Sequence, residues 1–127
     1  MDKSCTRILY VDDDSDSCEV MTLWLSKDPE RYEVTATSES HRALNLIAEN
    51  RFDLYIFDYC MPEVTGADLC CFVRTIYPDA PVMIYSGRGA KTDIKNGMAA
   101  GADAFLVKPN DFDEFLPTVH RLLNHQE

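Results

Sequence analysis

The chain has 127 residues, of which 46% are hydrophobic and 27% are charged, and its formal net charge is −10. That length fits a single domain of about 100–150 residues, and no apolar stretch approaches the roughly 20 residues that cross a membrane. The N-terminal segment has no secretory h-region, so we predict one domain over residues 1–127, in the cytoplasm and without membrane association. The acidic charge argues against nucleic-acid binding by this chain alone, because phosphate backbones attract basic surfaces.

The cysteines argue against a zinc site and against a disulfide framework. There are five, an odd number, and none are spaced as CxxC. Both kinds of site therefore lack their usual sequence signature. We predict reduced thiols that are mostly buried.

The first predicted strand runs directly into acidic residues. Residues 7–11 are apolar after the initial arginine, and residues 12–14 are all aspartates. A helix is predicted to begin at Ser15 or Asp16 and to run to about Lys27. Its apolar residues recur at helical spacing and form one stripe: Val20, Met21, Trp24 and Leu25.

The next two predicted strands differ in how they are covered. Residues 32–37 alternate apolar and polar side chains, which predicts a strand with one wet face at a sheet edge. After a helix opened by Ser38 or Ser40, residues 54–57 are an unbroken apolar run, typical of a strand buried on both faces. Asp58 ends that run. A carboxylate there needs a cation, hydrogen-bond donors or a chemical role to offset its desolvation.

The second half of the chain continues the alternation of helices and strands. The predicted elements are a helix over residues 67–76, a strand over 82–85, a helix over 91–100 and a strand over 104–107. Ser86 follows the fourth strand and Lys108 follows the fifth. The last helix opens with a capping-box pattern at Asp111 and Glu114, and Pro117 within it predicts a kink or a late start.

Strands that alternate with helices predict an α/β fold, here a doubly wound five-stranded parallel sheet with five helices. All strands then point the same way, so their carboxyl ends share one rim, where ligands of such sheets bind. The polar residues that follow these strands are Asp12, Asp13, Asp58, Ser86 and Lys108.

This rim predicts a magnesium site with a reactive carboxylate. Three close carboxylates repel one another, and a hard divalent cation with oxygen ligands relieves the repulsion. Because magnesium takes only one or two protein carboxylates directly, Asp58 stays free to attack a phosphorus centre. Lys108 then supplies a positive charge to the phosphoryl group, and Ser86 donates a hydroxyl hydrogen bond to it.

Four segments resemble the receiver domain of bacterial two-component response regulators, the family that includes the single-domain chemotaxis regulator. They are ILYVDDD, DLYIFDYCMPEVTG, PVMIYSG and GADAFLVKP, in the order and spacing of that family. The resemblance covers nearly the whole chain. It implies a flavodoxin-like sheet in the order 2-1-3-4-5, which agrees with the edge position predicted for the second strand.

The resemblance also implies the roles of the acidic residues. Asp58 is expected to accept the phosphoryl group. Asp12 and Asp13 are expected to bind Mg²⁺ together with Asp58 and the backbone carbonyl of Cys60. The phosphodonor is expected to be a sensor histidine kinase or a phosphotransfer protein. The chain would then be a phosphoryl acceptor that takes part in its own phosphorylation and dephosphorylation, and not an enzyme.

The remaining implied roles concern signalling. Ser86 and Lys108 are expected to contact the phosphoryl group, and Ser86 and Phe105 to form the conformational switch. Arg88 and Cys60 occupy positions that tune phosphoryl lifetime in the family, and the Lys108-Pro109 bond is expected to be cis. The output is expected to be a downstream protein or a fused domain, and a homodimer is compatible with this class.

Two other functions stay open from the sequence. The spacing of Asp12 and Asp14 is similar to that of haloacid-dehalogenase-type phosphatases, whose nucleophile would be Asp12, although Asp16 stands where threonine or valine is expected. The other alternative is a metal-binding or protein-docking module without chemistry.

Overall fold

A computed structural model describes residues 6–27 and 31–124 of the chain. Its strands are β1 Thr6–Val11, β2 Tyr32–Thr37, β3 Leu54–Phe57, β4 Val82–Ser86 and β5 Ala104–Val107. Neighbouring strands all pair in parallel, in the order β2-β1-β3-β4-β5. The predicted doubly wound sheet and its order are confirmed, with β2 at one edge.

The helices lie between the strands along the chain. They are α1 Ser15–Leu25, α2 Ser40–Glu49, α3 Gly66–Ile76, α4 Lys91–Ala99 and α5 Phe115–Asn124. A single turn of 3₁₀-helix, Phe112–Glu114, precedes α5. No helix in the described ranges is both long enough and apolar enough to span a bilayer.

Hydrophobic residues pack on both faces of the sheet and cover β3 from both sides. All four residues of β3 have no exposed surface, and their side chains alternate between two core clusters. Tyr55 and Phe57 pack with residues of α2 and α3, such as Ile47 and Leu69. The other side chains of β3 pack with residues of α1 and α5. This packing holds the carboxyl end of β3 in a fixed position.

The helix starts differ from the predictions in which residue caps them. Asp14 caps α1, where its side chain accepts from the Asp16 amide, and the predicted caps Ser15 and Asp16 lie inside the helix. Glu39, not a serine, precedes α2 and makes no side-chain cap bond. The predicted capping box at Asp111 was also wrong, because that carboxylate accepts from the Val107 amide.

Two predictions about the last helix were correct. Pro117 is the third residue of α5, where a backbone N–H has no helical partner, and the helix starts late, after the 3₁₀ turn. The second prediction concerns the segment before the helix, where the Lys108-Pro109 bond is cis, as expected.

The predicted burial of single side chains was only partly right. Val20 was placed in the apolar stripe of α1, yet 61% of it is exposed. The four cysteines within the described ranges are free thiols, as predicted. Cys18 and Cys70 are buried, whereas Cys60 and Cys71 are exposed. Cys5 lies outside the described residues.

Gly66 begins α3 against the backbone of Asp58. A Cβ atom at this position would overlap the Asp58 carbonyl oxygen and lie 2.9 Å from the Tyr59 Cα. At Gly87, in the loop after β4, a Cβ atom would meet nothing within 4 Å. Alanine substitutions at Gly66 and Gly87 therefore compare a crowded position with an open one.

We expect Gly66→Ala to lower the free energy of unfolding by about 1–3 kcal/mol, because the new methyl group must displace backbone atoms. Gly87→Ala should change that free energy by less than about 0.5 kcal/mol. Urea denaturation of both variants measures the difference, and equal losses would contradict the packing described here.

Candidate functional site

Three carboxylates lie together at the carboxyl ends of β1 and β3. Val11 pairs with Phe57 in the sheet, so the residues that follow them, Asp12 and Asp58, leave the sheet side by side. One carboxylate oxygen from each of Asp12, Asp13 and Asp58 lies within 4.8 Å of the others. Asp12 and Asp58 are buried, with 1% and 8% of their surface exposed, whereas Asp13 is exposed.

Lys108 reaches this acidic group from the other half of the sheet. Ser86 pairs with Val107, and the Lys108 amide donates to the Ser86 carbonyl oxygen at 2.8 Å. The Lys108 Nζ atom lies 2.5 Å from the Asp12 Oδ2 atom, and three quarters of the lysine side chain is buried. The structure thus brings together all five polar residues that the sequence places at this rim.

The two buried carboxyl groups differ in charge preference. Burial and the neighbouring charge of Asp12 raise the pKa of Asp58 to about 6, although Ser86 and Lys108 oppose the rise. Burial also disfavours the Asp12 anion, but hydrogen bonds from Lys108 and the Asp14 amide outweigh it and lower the pKa of Asp12. The Asp12 carboxylate is therefore stabilised as an anion, whereas Asp58 binds a proton or a cation more readily than an ordinary aspartate does.

The other predicted residues surround Asp58. Ser86 is fully buried, and its Oγ atom accepts from the Arg88 amide at 3.2 Å. The Cys60 amide lies 3.5 Å from the Asp58 Oδ1 atom. Phe105 is half-buried, and its ring centroid lies 5.9 Å from that of Tyr59.

Helix α4 approaches the Phe105 ring through a glycine. A Cβ atom at Gly97 would lie 2.9 Å from both the Phe105 Cδ2 atom and the Ile84 Cδ1 atom. Any larger residue would therefore push the ring or the helix away. The position of Phe105 is thus tied to the position of α4.

Three contacts at the site were missed by sequence reasoning. The Tyr10 hydroxyl donates to the Asp12 Oδ2 atom at 3.1 Å from a fully buried ring. The Arg88 guanidinium lies 3.7 Å from the Cys60 Sγ atom and 3.3 Å from the buried Asp93 carboxylate. For Tyr10, the usable signal was its position two residues before Asp12, which puts both side chains on one face of the strand.

The acidic group fits a hard divalent cation. Its donors are carboxylate oxygens, and they are close enough together to share one ion. Burial contributes most to the raised pKa of Asp58, and the charge of Asp12 adds a repulsion that such a cation would relieve. Asp12, Asp13 and Asp58 are therefore the candidate side-chain ligands.

Comparison with known proteins identifies the family of this chain. The sequence model for the response regulator receiver domain matches residues 8–120. This chain belongs to that family. It is a receiver domain of a two-component response regulator, a class that signals through phosphorylation.

Solved receiver structures share the fold of this receiver domain. The chemotaxis protein CheY4 of Vibrio cholerae is 28% identical, with a TM-score of 0.83, over 93% of this chain and 98% of that one. The TrrA response regulator of Thermotoga maritima, solved with Mg²⁺ and BeF, is 28% identical, with a TM-score of 0.80, over 92% and 98%.

The curated relatives are longer than this receiver domain. The response regulator MprA of Mycobacterium sp. (strain KMS) is 35% identical over 117 residues, which cover 92% of this chain and 50% of MprA. A probable transcriptional regulatory protein of Picosynechococcus sp. is 32% identical over 128 residues, 95% of this chain and 50% of that protein. The chain spans about half the length of these relatives.

The raised pKa of Asp58 predicts how stability depends on pH. Without divalent cations, the folded state holds the Asp58 proton more tightly than the unfolded chain does, since the folded pKa of about 6 exceeds the ordinary value of 3.8. The contribution of Asp58 to wild-type stability therefore falls as the pH rises from 3.8 to about 6, and it is fully lost above that interval.

We expect Asp58→Asn in EDTA to be more stable than wild type by roughly 2–3 kcal/mol at about pH 8, because the amide cannot ionise. The gap should shrink to a fraction of that at about pH 4, where Asp58 is protonated in nearly all folded molecules and in a large minority of unfolded chains. Urea unfolding across this pH range measures it. A wild type that is the more stable protein at the higher pH would refute the assigned environment of Asp58.

Proposed function

We propose that Asp58 accepts a phosphoryl group from a phosphohistidine donor, with Mg²⁺ held by Asp12, Asp13, Asp58 and the Cys60 carbonyl. The observation that carries this is the convergence of three carboxylates and Lys108 at one rim, with Lys108 2.5 Å from Asp12. Receiver domains bind Mg²⁺ at an acidic pocket, which supports the metal assignment.

Asp58 suits the acceptor role better than its acidic neighbours do. Asp12 accepts hydrogen bonds at both oxygens, from Lys108 and Tyr10 at one and from the Asp14 amide at the other. Asp13 is exposed to water. Asp58 is buried and interacts with the Ser86 hydroxyl, and Lys108 lies near enough to lower its pKa.

In the proposed transfer, an Asp58 carboxylate oxygen attacks phosphorus as the bond from phosphorus to the donor imidazole nitrogen breaks. The electron pair of that bond leaves with the imidazole. Bound Mg²⁺ supplies charge neutralisation for the phosphoryl oxygens. Lys108 provides a second positive charge, and the Ser86 hydroxyl donates to a phosphoryl oxygen.

The signal then passes from the phosphoryl group to the surface. The Ser86 hydroxyl donates to the phosphoryl group while its Oγ atom still accepts from the Arg88 amide, and this draws the loop after β4 inward. Phe105 responds because its ring packs against Gly97 in α4. Phosphorylation thereby shifts an existing equilibrium between two conformations of the face formed by α4, β5 and α5.

The protein acts as a phosphoryl acceptor that assists its own phosphorylation and dephosphorylation, and no separate substrate is converted. Its proposed donors are a sensor histidine kinase or a phosphotransfer protein, in the cytoplasm. The output is a downstream protein or a fused domain. Residues 1–127 form one receiver domain, with no contact of its own to nucleic acid or membrane.

Phosphorylation by a small-molecule donor tests this function. We expect acetyl phosphate with Mg²⁺ to add one hydroxylamine-labile phosphoryl group to wild type, detected by intact mass. EDTA should abolish the adduct, because Lys108 then opposes three carboxylates and the phosphoryl charge without the help of a divalent cation. Asp58→Asn should remain unmodified.

A surface acid provides the matched control for this experiment. Asp113→Asn changes an exposed carboxylate in the 3₁₀ turn and should be modified as wild type is. Modification of Asp58→Asn to the wild-type level would reject the acceptor assignment. Repeated turnover of an external phosphate ester that needs Asp12 and survives loss of Asp58 would favour a phosphatase instead.

A further inference from the structure

Tyr10 is a buried tyrosine that bonds directly to a proposed metal ligand. Its ring packs with the core cluster between the sheet and helices α1 and α5, and only 1% of the residue is exposed. The hydroxyl donates to the Asp12 Oδ2 atom at 3.1 Å. A phenylalanine would fill the same core space, so packing alone does not account for the hydroxyl.

The strand geometry explains why the hydroxyl reaches Asp12. Residues two apart in a strand lie on the same face, about 6–7 Å from each other. A tyrosine at position 10 is long enough to extend along β1 to the carboxylate that follows the strand. Lys108 approaches the same Oδ2 atom from β5, at 2.5 Å. One oxygen thus has two described donors, one within β1 and one directly after β5.

We propose that Tyr10 is a positioning residue that holds the Asp12 carboxylate in its metal-binding orientation, both beside Lys108 and after Lys108 turns to the phosphoryl group. This inference rests on the proposed function, because it concerns the same magnesium site. Tyr10 acts through Asp12 and does not touch the reacting atoms.

The need for such a residue follows from the sharing of Lys108. In the structure Lys108 is the only charged donor among the hydrogen-bond partners described for Asp12. When Lys108 moves to a phosphoryl group on Asp58, the Oδ2 atom loses that donor. The Tyr10 hydroxyl remains and keeps the carboxylate from rotating. Without the hydroxyl, Lys108 would also be the sole donor to Oδ2 and harder to release.

Tyr10→Phe removes this hydroxyl and leaves the ring. We expect the dissociation constant for Mg²⁺, measured by isothermal titration calorimetry, to rise about tenfold, the lower end of the effect of removing a hydrogen-bond partner of a metal ligand. The rate of modification by acetyl phosphate at saturating Mg²⁺ should also fall. Thermal unfolding confirms that the variant is folded.

Tyr55→Phe is the matched control. Tyr55 is also a fully buried strand tyrosine, and its hydroxyl oxygen accepts a hydrogen bond of 3.1 Å from the Phe52 amide, away from the acidic rim. It should lose stability as Tyr10→Phe does but bind Mg²⁺ as wild type does. Wild-type Mg²⁺ affinity in Tyr10→Phe, or equal weakening in both variants, would overturn the proposal.

A measurement on the unaltered sequence gives a second test. With tyrosine labelled with ¹³C at Cζ, the Tyr10 resonance should shift on addition of Mg²⁺, and the Tyr55 resonance should not. A Tyr10 resonance that ignores Mg²⁺ while the metal binds would also overturn the inference. Wild type that binds no Mg²⁺ at all would instead reject the proposed function, so the two failures are distinct.

Discussion

The pairing of Lys108 with Asp12 is the interaction on which the acidic rim depends. The fold places three carboxylate groups within 4.8 Å, two of them buried, and such a group is unstable without nearby positive charge. Lys108 supplies that charge from β5, across β3 and β4, to an aspartate at the end of β1. The two halves of the sheet are therefore joined at the site by one ion pair. If Lys108 changes its partner, the ends of both β1 and β5 are affected.

This arrangement makes the neighbouring acids chemically unequal. Asp12 is held as an anion by three donors, whereas burial and the charge of Asp12 leave Asp58 with a raised pKa. The unequal acids divide the tasks that a receiver site needs, since one carboxylate keeps its place and the other changes its bonding. Tyr10 strengthens that division because it adds a neutral donor that does not leave with the lysine.

Hydrophobic periodicity and parallel topology were sufficient to predict the parallel sheet and the five polar residues of its rim. The strand order came from the resemblance to the receiver family, because periodicity placed only β2, at an edge. Local details were less predictable. The predicted caps of α1 were Ser15 and Asp16, and Asp14 caps it instead. All three residue types are good caps, so the pattern could not choose among them. Val20 has the right spacing for the core, but the rotation of α1 exposes it. Tyr10 was interpreted as a core residue because it lies in an apolar run, and Asp93 was missed because its partner lies across a loop.

The aromatic contacts of Trp24 have a practical consequence. It is the single tryptophan of the chain, and its ring lies 4.9 Å from that of Phe112 and 5.5 Å from that of Phe115. These rings lie where the segment after Lys108 enters α5. Tryptophan fluorescence of this protein therefore arises beside that junction. The chain carries a natural optical probe for movement of the segment that follows Lys108.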